Sequence, residues 1–253
     1  DMAVGIGQWR TSLELGLQDI ELRYKRSLLG PFWISAALVA TILALAFVFS
    51  GVFRTQFVTY VAYIGAGLLG WQLILALVSD ACGSVPEHSA YLQNVRMPMT
   101  VIAGRIAIRN AIVFAHHVVA VIGLLFLFGV QFTPTIIWVL PGAGLMLLFG
   151  YLLVMMLGPI CARFRDVPLV IQSIMQVMFF LTPIFWMPDE SSHHPGFIYS
   201  NPFYHMIQLV RAPLLGEMAT PLNWQFSLWV CAGVGVLALL SVAFTRKRLA
   251  LWL

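Results

Sequence analysis

Few side chains in this sequence could do covalent or metal chemistry, and their spacing is poor for it. Two histidine pairs, His116-His117 and His193-His194, have the composition of a metal site. Adjacent residues on a helix point in different directions, so His116 and His117 do not chelate as a pair. One of them could instead line a polar path. His193 and His194 read as solvated loop residues. Cys82, Cys161 and Cys231 lie far apart and form no CxxC pair, so they read as small apolar fillers rather than zinc ligands or a disulfide framework. No long apolar stretch holds an internal carboxylate. Asp80 and Asp166 stand at the ends of such stretches, whereas a proton-driven carrier would place acids at mid-membrane. The chain is therefore not expected to be an enzyme, and no catalytic residue, metal or cofactor is expected in it.

Nucleotide chemistry fares no better. A phosphate-cradling loop needs a glycine-rich backbone followed by Lys and Ser or Thr. The two lysines, Lys25 and Lys247, sit in no such pattern. Gly65-Ala66-Gly67-Leu68-Leu69-Gly70 matches GxGxxG, but it lies inside an apolar stretch with no strand before it. Close helix packing through small residues is the natural reading, and Ala66 and Gly70 have the small-xxx-small spacing. Any ATP work must be done by another chain.

Aromatic residues are the abundant resource. Phe47, Phe49, Phe53, Tyr60, Tyr63, Trp71, Phe179, Phe180, Phe185, Trp186, Phe203 and Tyr204 cluster near the ends of apolar stretches. Aromatic belts at a membrane interface account for many of them. The functional alternative is a sugar path, since aromatic faces stack on the C–H faces of pyranose rings and permit sliding.

The elements that carry these residues follow from composition. Of 253 residues, 60% are hydrophobic and 9% charged, against roughly 25% charged in a soluble domain. Too few side chains exist to solvate a water-facing surface, so the chain reads as all-α, a polytopic membrane protein forming one domain over 1–253. A span needs about 20 apolar residues. Six stretches qualify: Pro31 to Phe53, Phe57 to Ser79, Thr100 to Phe128, Thr135 to Ile160, Val167 to Phe185 and Trp224 to Thr245. Gly129, Gln131, Thr133 and Pro134 divide the third from the fourth. With six spans both ends share a side, and 12 of the 14 Lys and Arg residues fall there. Only Arg54 and Arg211 fall opposite. The cation-rich side is expected to be cytoplasmic.

Three further segments stand out. In Trp9 to Tyr24, Trp9, Leu13, Leu17, Ile20 and Tyr24 recur at helical spacing, with Arg10, Glu14, Asp19, Glu21 and Arg23 on other faces. This predicts an amphipathic helix in the cytoplasmic interface, or else a solvated helix folded onto cytoplasmic loops. Between Pro86 and Pro98 there is room for a short helix with a mixed polar and aromatic face. From Trp186 to Pro221 no span fits. There Asn201-Pro202 predicts a helix start, and Phe203, Ile207, Val210 and Leu214 repeat at helical spacing. At least one short re-entrant helix on the outer face is expected, with Arg211 facing protein, water or headgroups rather than lipid.

Several of these stretches, in this order, resemble the membrane subunits of ABC-type polysaccharide exporters. Arg23-Tyr24-Lys25-Arg26-Ser27-Leu28-Leu29-Gly30-Pro31-Phe32-Trp33 is similar to that family's approach to the first span. Arg163-Phe164-Arg165-Asp166-Val167 resembles its fourth connection. Phe179-Phe180-Leu181-Thr182-Pro183-Ile184-Phe185-Trp186 and Asn201-Pro202 resemble the outer end of its fifth span and the outer segment after it. The family exports O-antigen, capsule or teichoic-acid polymers.

The resemblance implies a homodimer in the bacterial inner membrane, each copy held by an ATP-hydrolysing subunit that binds ATP and Mg. The expected cargo is an undecaprenyl-pyrophosphate-linked glycan, O-antigen foremost. Nucleic acid is not an expected partner. Trp9 to Tyr24 would be the interface helix, and Gly83 to Pro98 would contain the coupling helix. On this reading Glu87, His88, Tyr91, Leu92 and Arg96 transmit movement from the ATPase, with Arg163 and Arg165 as secondary contacts. Tyr63, Trp71, Phe179, Phe180, Phe185, Trp186, Phe203 and Tyr204 line the glycan path. Arg23, Arg26, Arg105 and Arg109 attract the lipid pyrophosphate or simply anchor the cytoplasmic side. A self-standing secondary carrier would instead need internal repeats, broken spans at matching positions and mid-membrane charges, and none is clear. A membrane scaffold without a transport role is the remaining alternative.

Overall fold

A computed structural model describes residues 7–25, 32–88, 97–188 and 195–245. The described residues are helical, with no strand among them. The order is α1 (Trp9–Tyr24), α2 (Phe32–Val52), α3 (Phe57–Gly83), α4 (Met99–Leu127), a 3-10 turn (Pro134–Trp138), α5 (Val139–Arg163), α6 (Val167–Leu181), α7 (Pro195–Tyr199), α8 (Pro202–Leu214) and α9 (Pro221–Thr245). Five helical stretches are long and apolar enough to cross a membrane: α2, α3, α4, the turn with α5, and α9. α6 is apolar but has only 15 residues, about 22 Å at 1.5 Å per residue. It ends at Leu181 rather than Phe185, because Pro183 cannot continue it.

α3 is the axis of the bundle. It packs against α2, α4, α5, α6 and α8 and is mostly buried, whereas α2 and α9 leave broad apolar faces open. It also runs past Asp80 to Gly83. The sequence places a boundary at Asp80, but that carboxylate is held by Arg109 and Asn110, so it does not need to leave the helix for water.

Small residues set the spacing around this axis. Gly70 lies against Ile207 of α8, and Gly67 lies directly beneath the Arg211 guanidinium. Part of the expected GxGxxG packing surface therefore faces α8. On the other side of α8, a Cβ at Gly142 of α5 would stand 2.6 Å from the Leu209 carbonyl oxygen. Backbone cannot yield as a flexible side chain can, so Gly142→Ala should push α8 off α5. The expected cost is about 1–3 kcal/mol, read as a lower unfolding temperature in detergent. An unchanged unfolding temperature would mean that α8 is not clasped there.

The connections end as local chemistry requires. Gly129 has φ +76° and closes α4, with the Val130 N–H reaching the Leu125 carbonyl (3.0 Å), a glycine-terminated helix end. Asn201 caps α8, its Oδ1 accepting from the N–H of Phe203 (2.9 Å) and of Tyr204 (3.4 Å), with Pro202 in the first turn. Its amide also donates to Thr182 Oγ1 (2.9 Å), which ties α8 to the end of α6. Phe203 then packs on Trp71 near the middle of α3.

One end of the bundle gathers Ser84 and Val85 after α3, Met99 of α4 and Gly158 of α5. α1 lies there too, with Ser12 and Gly16 against the first turns of α4. α9 runs beside α5 in the same direction, Cys231 near Leu145 and Ser241 near Met156, so it finishes at that end as well. The thiols of Cys82 and Cys161 meet between α3 and α5, although both remain free.

Candidate functional site

At the end where α1 docks, charge is concentrated and mutually satisfied. Asp19 accepts from Arg105 through both oxygens, Nε at 2.8 Å and Nη2 at 2.5 Å. Arg109 lies 3.6 Å from Asp19 and 2.8 Å from Asp80. Asn110 donates to Asp80 (2.6 Å) and to the Ile106 carbonyl (2.9 Å). Two carboxylates and two guanidiniums thus lock α1, α3 and α4 together in a largely buried network. α1 turns its small stripe inward. Ser12 and Gly16 are buried, and Ser12 donates to the Val101 carbonyl (3.2 Å). The apolar stripe of Trp9, Leu13 and Leu17 is left open on the outside. Close approach between helices favours small residues, and the ion pairs need Asp19 on the same face.

The expected coupling residues fall partly within this region. Glu87 is exposed, while His88 is buried and donates from Nδ1 to the Ser84 carbonyl (2.9 Å). Burial, reinforced by the nearby Arg105 charge, pushes the His88 imidazole below its ordinary pKa, so it is held neutral. Arg163 and Arg165 are exposed on the same end, with Arg163 over the Phe164 ring (5.7 Å). Tyr91, Leu92 and Arg96 lie outside the described residues, as do Arg26 and the Arg23 side chain.

Toward the opposite end the aromatic residues join into one run. Trp71 contacts Phe179 (5.7 Å) and Phe203 (5.9 Å). Phe179 contacts Phe180 (5.4 Å) and Phe185 (5.7 Å). Phe185 continues to Phe49 (5.5 Å), then Phe53 and Tyr60. Trp186 donates to the Phe180 carbonyl (3.1 Å), and Tyr204 pairs instead with Tyr199 and His205. A cleft of about 390 Å³ opens between α2, α3 and α6 beside Trp71, Phe179 and Phe180.

Tyr63 belongs to a different arrangement, built on Arg211. That side chain is 2% exposed and lies against protein. Its Nη1 donates to Tyr63 Oη (3.0 Å) and the Pro183 carbonyl (2.8 Å), and its Nη2 to the Ile184 carbonyl (3.2 Å). The guanidinium lies 4.1 Å from the Tyr63 ring centroid. No carboxylate pairs with it among the described residues. Tyr63 donates in turn to Pro183 (3.2 Å) and Trp186 (3.1 Å), and Tyr60 donates to the Phe185 carbonyl. The carbonyls past the end of α6 lack helical partners, and Arg211 reaches them from α8. The sequence places Arg211 against protein, water or headgroups, but its partners are local carbonyls with no recognisable pattern.

Among the described residues, five apolar helices of membrane length in an all-helical bundle make this a multi-pass membrane protein. A family profile for ABC-2 type transporters matches residues 14–215, and the chain belongs to that family, as a membrane subunit rather than a catalytic one. It is 24% identical over 194 residues to an O-antigen export system permease protein RfbA of Klebsiella pneumoniae, covering 75% of this chain and 74% of that one. A second Klebsiella pneumoniae protein of that name is 23% identical over 192 residues, with the same shares. One from Myxococcus xanthus is 22% identical over 184 residues, 71% of each chain.

Proposed function

We propose that this chain is the membrane subunit of an ATP-driven exporter that moves lipid-linked O-antigen across the bacterial inner membrane. The observation that carries this reading is the match to O-antigen export permeases across about three-quarters of both chains. On this reading ATP and Mg are bound by a partner chain, as the membrane-subunit family supports. The reading has two copies of this chain forming the conduit and two ATP-binding subunits below.

On this reading α6 is a sixth span, completed by Thr182 to Trp186, and α7 with α8 re-enters the outer face. Both ends are cytoplasmic. The end bearing α1, Glu87, His88, Arg163 and Arg165 meets the ATPase, together with Tyr91, Leu92 and Arg96. The aromatic run guides the glycan. Arg105 and Arg109 already have carboxylate partners, so they hold α1 in place, and Arg23 and Arg26 draw in the lipid pyrophosphate.

Disrupting the gene should abolish the O-antigen ladder on the cell surface, and the wild-type gene should restore it. Tyr91→Ala with Arg96→Ala should restore at least about tenfold less, the size of an ordinary coupling free energy, at normal membrane levels of the protein. An intact ladder in the disrupted strain would end the exporter reading. Full restoration by the double variant would end only the coupling assignment.

A further inference from the structure

Cys82 and Cys161 have no part in the transport reading, and the sequence treats them as separate apolar fillers. The fold brings them together. Cys82 is the second-last residue of α3, and Cys161 stands two residues before the end of α5. Both are buried, and their thiols hydrogen-bond to each other. The helix ends around them are already in contact. A Cβ at Gly158 would stand 2.6 Å from Ser84 Oγ and 3.1 Å from the Val85 side chain, and earlier along α5 Gly150 lies against Leu77. Cys231 shows the contrast, because its thiol faces the Leu145 carbonyl (3.8 Å) instead of a second thiol.

Two thiols in contact can do what one cannot. A thiolate that attacks hydrogen peroxide breaks the O–O bond, becomes a sulfenic acid and releases hydroxide. The second sulfur then attacks the sulfenic sulfur and expels water. Overall the two thiols give up two electrons and two protons, and the peroxide takes them up as two waters. Burial directs this outcome. Peroxide is small and uncharged, so it enters where larger oxidants do not. A buried sulfenic acid is out of reach of bulk thiols, while its neighbour is already held beside it. The position gives the bond a consequence. α3 leads into Glu87 and His88, and α5 leads into Arg163 and Arg165, the two connections set against the ATPase. An S–H hydrogen bond is weak and lets these helix ends part. A covalent bond does not. On the same reading the pair lies at the cytoplasmic end, where the reducing pool keeps thiols free and disulfides are transient.

We propose that Cys82 and Cys161 are a peroxide-oxidisable pair whose reversible disulfide clamps the end of α3 to the end of α5 and arrests export. The bond stands on the thiol contact and the packing around it, whereas its effect on export rests on the exporter reading.

The test uses the full chain in its native membrane. Washed membranes receive a pulse of hydrogen peroxide and are then denatured with a thiol-reactive polyethylene glycol that adds visible mass at each free cysteine. The three cysteines should give three additions before the pulse, one after it and three again after dithiothreitol. Three additions throughout overturn the pair. So does a loss that dithiothreitol does not reverse, the mark of sulfinic acid, and so does a disulfide between two copies. In living cells pulsed until the same disulfide forms, newly exported polymer should fall severalfold and recover with its reduction. Cys82→Ala and Cys161→Ala should export through the pulse. A disulfide with undiminished export overturns the clamp. So does an equal fall in a variant that exports normally before the pulse. If one variant fails to reach the membrane the other makes the comparison, and the wild-type labelling needs neither. A normal ladder after gene disruption removes the exporter reading and leaves the labelling result standing.

Discussion

Arg211→Met should lower the unfolding temperature of the detergent-solubilised protein and abolish export. Two opposing contributions decide the size. Removing the guanidinium relieves the cost of burying an ion with no carboxylate beside it, several kcal/mol in principle. Against that stand three hydrogen bonds from a charged donor, roughly 1.5–3 kcal/mol each, and the face of Tyr63 at 4.1 Å. The acceptors decide the balance. The Ile184 carbonyl is left buried without a donor after the substitution, since methionine offers none, and the Pro183 carbonyl keeps only its bond from Tyr63. An orphaned carbonyl costs about 1–3 kcal/mol, so the net loss should be about 2 kcal/mol. Arg211→Lys should be intermediate, since one ammonium cannot span the fork of acceptors. An unfolding temperature unchanged in Arg211→Met would show that the Ile184 carbonyl finds another donor.

Asp19→Ala should release α1 from the bundle. Arg105 and Arg109 would face each other across a site where each side chain is 12% exposed, with only Asp80 left to offset them. Loss of the bidentate pair and the remaining repulsion should cost about 2 kcal/mol, below the 3–5 kcal/mol of a fully buried pair because some water reaches the site. Trypsin should then cut at Arg10 and Lys25 faster than in the wild type. Asp19→Ala with Arg105→Ala should recover part of the loss, the coupling of a direct contact. If tryptic cleavage were as slow in Asp19→Ala as in the wild type, Ser12 and Gly16 alone would hold α1.

The two sites show where sequence reasoning works and where it stops. The boundaries of α1 and α8 follow from periodicity and from Asn201-Pro202, because capping and amphipathic spacing act over a few neighbouring residues. The face that α1 buries does not. Its apolar stripe of Trp9, Leu13 and Leu17 is expected to face the membrane interface and does point away from the bundle, but that the bundle takes Ser12, Gly16 and Asp19 could not be read from the stripe. In water the apolar stripe would go inward. Where lipid replaces water, that drive vanishes, and closeness of approach selects the small residues. Arginines 105 and 109 look like free cytoplasmic cations for the same reason, since Asp19 lies 86 residues from Arg105.

Length and apolarity were enough to establish an all-helical, multi-pass membrane protein and to place its long apolar helices along the chain. Those properties depend on how each segment partitions between water and hydrocarbon, which local composition settles. Which helix becomes the axis, which carbonyls Arg211 seals and which aromatic rings meet were matters for the assembled fold. Such contacts join residues more than a hundred positions apart, as Arg211 and Tyr63 do, and their energies depend on geometry that no neighbouring residue encodes.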